Sequence, residues 1–288
     1  MNDGNQVARL STSAAAGMLL WICRTLLGAL VSYPILMAIR ASSMTSGPDG
    51  DSVLFQPGSL LLLELLRIGG PWLGSAAQVA LLLLGLSAIF ELVPLAMALD
   101  LLWLPGRSLI ERLRRALRLF PKFIALGVIA LLAQAALLLV ASLLGAALKP
   151  ALSSADERLR SIAPIALFGL GLVACAWFGG ALDIARAMLV QRAEHEPSER
   201  GARAALADAL ICLRRRPLSV LFGLYPSVAG SAFAYLTAAW FLTRFVPTTS
   251  SSVALTLGFG AHQLAVLFAI ACRVRWLGAA LELSAESD

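Results

Sequence analysis

The sequence predicts an all-α fold, a polytopic integral membrane bundle of six transmembrane helices with amphipathic cytoplasmic elbow helices. Of the 288 residues, 59% are hydrophobic and only 14% are charged, whereas soluble domains carry about 25% charged residues. Several apolar runs also exceed the ~18 residues that mark a candidate membrane span. We therefore expect one transmembrane domain over residues 1–288, surrounded mainly by hydrocarbon.

Six apolar runs account for the spans, because each is long enough at ~1.5 Å per residue to cross a hydrocarbon layer of ~30 Å. They cover residues 14–39, 74–103, 122–148, 162–190, 217–243 and 253–277. The first run contains Arg24 and is too long for a signal-peptide core, so we expect it to be retained as a span. A shorter stretch at 57–71, interrupted by Glu64 and Arg67, predicts an interfacial or re-entrant segment.

The basic residues predict the orientation of the spans, because cytoplasmic loops retain positive charge. Sixteen arginine and lysine residues fall in the connections on one side and six in those on the other, and the two richest stretches, 107–122 and 186–216, lie on the same side. We therefore expect cytoplasmic N- and C-termini. The excess of arginine over lysine, with abundant alanine, leucine and glycine, indicates a bacterial protein and hence the inner membrane.

Two connections share one pattern, in which a helical segment with a basic cluster is followed by a proline and a span. They read GRSLIERLRRALRLFPKFIALG at 106–127 and ARAALADALICLRRRPLSVLFG at 202–223. Apolar residues recur on one face of each segment, which predicts elbow helices in the headgroup region, with Pro121 and Pro217 each opening the following span. We expect these arginines to contact anionic lipid headgroups: Arg112, Arg114, Arg115, Arg118, Arg214, Arg215 and Arg216.

A weaker repeat places the sequence Ala-Leu-Asp near the cytoplasmic ends of spans two and four, at 98–100 and 181–183. Together with the elbows it predicts three helical hairpins, formed by spans one and two, three and four, and five and six. Surface ion pairs of Asp100 and Asp183 with the nearby Arg107 and Arg186 are the simplest role for these carboxylates.

The six spans, the glycine-bearing helices and the elbow sequences LRLFPKFIALG and LRRRPLSVLFG resemble the membrane domain associated with some bacterial glycerophosphodiester phosphodiesterases and related six-span families. The resemblance covers most of the chain and implies an all-helical membrane module. In those proteins the phosphodiesterase catalysis belongs to a separate soluble domain, so the resemblance implies no catalytic residue in this sequence.

Polar residues within the spans are the candidates for a functional site, because an unpaired charge near the bilayer centre costs ~2.5–3.5 kcal/mol on insertion scales. Arg24 and Glu91 lie at similar depths in spans one and two, so we expect them to pair. The pair would either form a site for an ion, a proton or a lipid headgroup, or fix the packing of the two helices. Gln134, His262 and Gln263 would either line a polar path or make hydrogen bonds between spans.

Prolines and glycines inside the spans are likewise explained either by a functional site or by helix packing. A proline removes a backbone hydrogen bond, which kinks a helix or frees a carbonyl for a ligand; those within spans are Pro34, Pro94 and Pro226. Small residues at helix surfaces indicate close contact between helices; the glycines of span four are Gly169, Gly171, Gly179 and Gly180.

Motifs for several enzyme classes are absent from the sequence. It has two histidines and no HExxH pair, the GLSAI at 85–89 lacks the second glycine of a GxSxG elbow, and no Walker or dinucleotide-binding motif occurs. The fragment LDIARAML at 182–189 lacks the further Gly and Asp residues of CDP-alcohol phosphotransferases. The four cysteines are isolated, so neither a disulfide framework nor a metal site is expected.

We therefore expect a non-enzymatic membrane protein without a cofactor, a scaffold or partner subunit of an envelope complex whose basic elbows bind anionic lipid. The alternative is a transporter or permease subunit with a polar site among spans one, two and six. The expected partners are lipid headgroups and a membrane or cytoplasmic protein. Nucleic acid is not expected, because the basic residues lie in short blocks between apolar runs.

Overall fold

The computed structural model describes residues 3–41, 70–151, 157–195, 201–245 and 252–286, and these residues are almost entirely helical, without a strand among them. The helices of these ranges are α1 (Asp3–Ala41), α2 (Gly70–Phe90), α3 (Leu92–Trp103), α4 (Leu109–Ala151), α5 (Glu157–His195), α6 (Ala202–Arg215), α7 (Pro217–Phe245) and α8 (Ser252–Ala285). The predicted all-α class is confirmed.

Six helical segments are long and apolar enough to cross a membrane, and they overlap the six predicted spans. They are Leu10–Pro34, Gly74–Trp103, Leu109–Leu148, Ile165–Ala193, Pro217–Phe241 and Thr256–Ala285. The segment predicted at 57–71 lies outside the described residues, apart from the first two residues of α2. The chain is a multi-pass membrane protein.

The surface of the spans carries large apolar side chains. Leu131, Ile165 and Phe222 are each about 70% exposed. Such extensive apolar exposure is rare in soluble monomers, whereas lipid tails accommodate it without cost. The exposed leucines and phenylalanines are therefore the lipid-facing surface of the helices.

The chain divides into two compact units, the first comprising Met1–Ala98 and Ala229–Val274 and the second comprising Leu99–Val228 and Arg275–Asp288. The boundaries fall within α3, α7 and α8, so these three helices contribute to both units. The single domain expected for 1–288 stays a prediction.

In the first unit α1 packs against α2 and antiparallel to α8. A Cβ placed on Gly17 would lie 3.9 Å from side-chain atoms of both Ile270 and Val274. Helices α7 and α8 are closer still, since a Cβ on Gly230 would lie 3.0 Å from the Cys272 sulfur. Small residues thus let these helices approach each other.

In the second unit α4 and α5 form a hairpin, and α6 packs on both. The C-terminal part of α8 belongs to its core, where Trp276, Leu277 and Ala280 are fully buried. A Cβ on Gly223 of α7 would lie 3.0 Å from the Trp276 ring. The α1–α2 and α4–α5 pairs agree with the first two predicted hairpins, and spans five and six are in contact where Gly230 approaches Cys272.

The two elbows differ in structure. The prediction that Pro121 opens a new helix is wrong, because α4 runs unbroken from Leu109 through this proline into the span. Buried side chains continue along one face of α4 on both sides of the proline, at helical spacing: Arg112, Ala116, Leu119, Phe123 and Leu126. One continuous packing surface therefore holds the elbow and the span in a single helix.

The second elbow is a separate helix, α6, and Pro217 opens α7 as predicted. Arg216 between them leaves the helical conformation, with φ −130° and ψ 55°. The side chains at 216–219 are exposed, so no packing surface bridges the break. Pro217 therefore occupies the first position of α7, where the N–H that proline lacks would have no partner within the helix.

The second span contains a one-residue break at Glu91, between α2 and α3. Its N–H still donates to the Ser87 carbonyl at 2.8 Å. Pro94 has no N–H, so the Phe90 carbonyl lacks the donor that a regular helix would supply. Proline thus accounts for the break and places a carboxylate at it.

Candidate functional site

The first unit contains a polar cluster near the middle of its spans. Arg24 Nε donates to Glu91 Oε1 and the two side chains form an ion pair, as their depths predict. Arg24 is 40% and Glu91 34% exposed, so the pair is only half-buried within the described chain. Hydrocarbon is a costly environment for such a pair, which points to contact with protein, lipid headgroup or water.

The cluster extends along α1 to the sixth span. Trp21, one turn before Arg24, donates from Nε1 to Gln263 Oε1 at 3.2 Å. The hydroxyl of Thr25, which lies one turn after Trp21, is buried and has no hydrogen-bond partner among the described residues. A buried hydroxyl without a partner costs about 1–3 kcal/mol, so this face of α1 has unused hydrogen-bonding capacity.

The other predicted polar residues are placed differently. His262 is exposed on α8, next to Gln263. Gln134 belongs to the second unit, where its Nε2 donates to the Cys175 carbonyl at 3.3 Å and joins α4 to α5. The structure therefore brings together Arg24, Glu91 and Gln263 through one face of α1, and gives Gln134 a packing role.

A second polar cluster surrounds Asp100, at the end of α3, whose side chain is only 3% exposed. Its Oδ1 lies 3.3 Å from Arg107 Nη1 and 3.4 Å from Arg115 Nε. Its Oδ2 lies 3.3 Å from Arg112 Nη1. One buried carboxylate thus neutralises part of a three-arginine cluster.

Arg112 also binds the backbone of the α3–α4 connection. Its Nη2 donates to the Leu104 and Pro105 carbonyls, both at 2.8 Å, and its Nε donates to the Arg107 carbonyl at 3.1 Å. Arg112 is 4% exposed. The expectation that it contacts lipid is therefore wrong: the buried stripe of α4 passes through position 112 and directs this side chain into the protein.

Arg115 acts in a similar way between helices. Its Nη2 donates to the Val190 carbonyl of α5 at 2.6 Å, and its side chain is 13% exposed. The expected lipid contact is not supported for this residue either. Arg115 therefore joins α4 to α5 by a charge-assisted hydrogen bond, which is stronger than a neutral one, and also forms an ion pair with Asp100.

Asp183 is the equivalent carboxylate of span four. Its Oδ1 accepts from Arg186 Nη1 at 3.1 Å and its Oδ2 accepts from Trp276 Nε1 at 2.9 Å. The ion pairs of Asp100 and Asp183 are those expected, but their surface location is wrong, because both carboxylates are almost fully buried. The reason is the approach of α8, whose Trp276 covers Asp183.

The second elbow is held by a similar set of contacts. Asp208 of α6 pairs with Arg192 of α5 at 2.8 Å, and Arg216 pairs with Glu286. Asp208 and Arg112 each stand nine residues before the elbow proline. In the first elbow the arginine, Arg112, is on the elbow and its partner Asp100 is near the end of α3. In the second elbow the acid, Asp208, is on the elbow and its partner Arg192 is near the end of α5.

Five of the seven predicted lipid-contact arginines are exposed, and one of them, Arg216, pairs with Glu286. Arg114, Arg118, Arg214 and Arg215 are exposed, and the described chain gives them no ion pair. Large apolar side chains beside them are exposed as well, including Leu113, Leu117 and Ile211 at 41%, 53% and 50%. Arginine beside exposed leucine is the composition expected where a helix meets a membrane interface, here along α6 and at the beginning of α4.

Cysteine and metal chemistry add no site among the described residues. No group of three or more His, Cys, Asp or Glu there could hold a metal ion. The four cysteines are free. Burial raises the pKa of the Cys212 thiol above its ordinary value, and Arg216 opposes this only in part, so Cys212 is a poor nucleophile.

Sequence reasoning missed the two tryptophans that complete these clusters. Trp21 has a recognisable signal, since it precedes Arg24 by one helical turn. Trp276 has none, because its contact with Asp183 joins residues 93 positions apart. Comparisons with protein-family models, curated proteins and solved structures find no match.

Proposed function

We propose that this protein is a non-enzymatic scaffold or partner subunit of an envelope complex in the bacterial inner membrane, with elbows that bind anionic lipid headgroups. The observation that carries the proposal is the division of the elbow arginines. Arg112 and Arg115 fasten the first elbow to Asp100, while Arg114 and Arg118 on the same helix point outward.

This division supports lipid binding because the buried arginines fix the helix that carries the outward arginines before any lipid is bound. A cation on a mobile loop loses conformational entropy when it binds, whereas one on a fastened helix loses little. Each Arg or Lys near an anionic leaflet contributes about 1 kcal/mol. The four outward arginines would together hold the elbows firmly against such a leaflet.

The proposed orientation, with both termini cytoplasmic, agrees with the helix directions. An even number of crossings returns the chain to the side on which it began. In the first unit the α1 residue Gly17 lies by Val274 of α8, and Trp21 lies by Gln263. These contacts show that α1 and the first-unit part of α8 run antiparallel.

Lipid titration of the purified chain tests the proposal. We expect phosphatidylglycerol, but not phosphatidylcholine, to raise the midpoint of thermal unfolding. R114Q/R118Q/R214Q/R215Q should weaken the apparent lipid affinity about tenfold or more, and added salt should weaken the wild type similarly. R244Q, which removes an exposed arginine outside the elbows, is the matched control. If the quadruple variant behaves like R244Q, the proposal is wrong.

A second candidate function, in a transporter or permease subunit, is favoured by the half-buried Arg24–Glu91 pair at a break in span two. Broken helices and ionisable pairs mark substrate or ion paths in many transporters. The buried Thr25 hydroxyl without a partner in the described chain adds a polar group to that face. This candidate concerns the first unit, whereas lipid binding concerns the second.

Proteoliposomes with an internal pH dye distinguish the second candidate from a packing role. The variants are R24M, E91Q and the double change R24M/E91Q. A transport site predicts that the double variant regains the folded yield that either single change loses, while proton or cation flux stays abolished. If the wild type shows no flux under any imposed gradient of protons or monovalent cations, the candidate is excluded for these ions.

A further inference from the structure

We propose that the first elbow selects a lipid whose headgroup carries two phosphates, a diphosphatidylglycerol, over lipids with one phosphate. The inference rests on the proposed lipid binding and specifies its ligand. It arises from the spacing of cations along α4: Arg114, Arg118 and Lys122 follow one another at intervals of four residues. We call these three residues the cationic row.

Four-residue spacing places the three side chains on one side of the helix, about 6 Å apart along its axis. Arg114 and Arg118 are exposed and Lys122 is half-buried. Because α4 continues unbroken through Pro121, Lys122 stays in line with the arginines. A proline break at 121, as the sequence pattern predicts, would turn Lys122 away from them.

The described part of the chain gives the row no ion pair. Glu111 is the nearest acid before Arg114 and interacts with its charge at longer range, but its Oε2 accepts hydrogen bonds from the N–H and the hydroxyl of Ser108, at 3.1 and 2.9 Å. That arrangement is a capping box at the start of α4. Asp100, the other nearby acid, is buried among Arg107, Arg112 and Arg115. The positive charge of the row is therefore available to a ligand.

Charge and spacing together favour a ligand with two linked anions. Guanidinium groups bind phosphate oxygens in pairs, and lysine binds them as a point charge. Two phosphates joined by one glycerol can each meet a different cation of the row without a second loss of translational freedom. Exposed Leu113 and Leu117, at 41% and 53%, lie beside the row and can contact the acyl chains.

The second elbow provides an internal contrast. Its outward arginines, Arg214 and Arg215, are adjacent in sequence, so on a helix they project about 100° apart. Arg216 is engaged by Glu286. This elbow has no row of cations. At equal phosphate concentration we therefore expect it to bind one-phosphate and two-phosphate lipids with the same affinity.

Native mass spectrometry of the full chain, with diphosphatidylglycerol and phosphatidylglycerol competing at equal phosphate, measures the selectivity. We expect a preference of about fivefold or more for the two-phosphate lipid. R114Q/R118Q/K122Q should abolish the preference. The charge-matched control R203Q/R214Q/R215Q removes three exposed arginines of the second elbow and should retain it. R118K, which keeps the charge, should retain most of it.

The outcomes separate the two proposals. Equal binding of both anionic lipids by the wild type overturns the two-phosphate inference and leaves anionic lipid binding intact. Equal binding of phosphatidylcholine overturns the proposed function itself. Loss of selectivity in the control as well as in the triple variant assigns the effect to total charge and also overturns the inference. If the triple variant does not fold, R118Q alone must lower the preference while R118K does not.

Discussion

At the residue scale, buried carboxylates decide which arginines are available to ligands. Asp100 lies within 3.4 Å of three guanidinium groups, and Asp183 is bound by Arg186 and Trp276. Removing one partner of a buried ion pair is costly because the other charge stays buried without compensation. Arginines bound in this way hold helices together, and those that remain outward are free to meet lipid.

The Asp100→Asn substitution should destabilise the protein by about 3–5 kcal/mol, because it leaves the arginine cluster without its carboxylate. Asp208→Asn is the matched control. Asp208 is 36% exposed, and such pairs contribute about 1 kcal/mol or less. Unfolding in mixed micelles measures both. Equal losses in the two variants would show that burial of Asp100 has no energetic consequence.

The Cys212 thiol should react slowly with alkylating reagents in the native protein. Its pKa is raised by burial, so at any pH below about 9 it holds less of the reactive thiolate than a free cysteine does. The test is the rate of iodoacetamide modification against pH in a variant whose other three cysteines are alanine. We expect the native curve to shift to higher pH than that of the denatured chain; a shift to lower pH would contradict the burial.

At the element scale, close contact between helices distinguishes glycines that the sequence pattern groups together. On α5 a Cβ added to Gly171 would lie 2.9 Å from the Ala141 Cβ, and one on Gly180 would lie 2.8 Å from Leu224 Cδ2. Gly169 faces open space, and Gly179 would make only a 3.9 Å contact with Gln134. The close-contact interpretation therefore holds for Gly171 and Gly180 and is wrong for Gly169.

Alanine substitutions on α5 test this distinction. Gly171→Ala should destabilise the α4–α5 hairpin by about 1–3 kcal/mol, because the Ala141 methyl group cannot move without its helix. Gly169→Ala should stabilise the protein by about 0.5–1 kcal/mol, because alanine loses less backbone entropy in a helix. Thermal unfolding in detergent compares them. The same sign for both substitutions would contradict the helix contact.

Proline behaves differently in the two elbows for a reason that also belongs to this scale. Pro121 lies within a continuous buried stripe, and α4 does not break there. Pro217 follows exposed Arg216, and the helix ends before it. The local sequence pattern is the same in both cases, so the packing surface on either side of the proline decides between continuation and a new helix.

At the scale of the whole molecule, hydrocarbon is the solvent that explains the exposed surface. The six spans have exposed leucine, isoleucine and phenylalanine over much of their length. Six crossings and an excess of arginine in alternate connections predict that both termini lie in the cytoplasm.

Reporter fusions test this topology. We expect fluorescent or enzymatic tags at residue 1 and residue 288 both to report the cytoplasm. A tag inserted in the connection between α4 and α5 should report the opposite side, because that connection follows three crossings. If the two terminal tags report different compartments, the count of six spans is wrong.

The sequence by itself determined the class, the six spans, the pairing of spans one with two and three with four, and the Arg24–Glu91 pair. Long apolar runs and isolated charges are local properties, and the bilayer fixes how they must be arranged. Only the tertiary structure decided which elbow arginines are buried, the burial of Asp100 and Asp183, and the continuity of α4. These depend on which helix face is covered by residues distant in sequence, such as Trp276, and local periodicity does not contain that information.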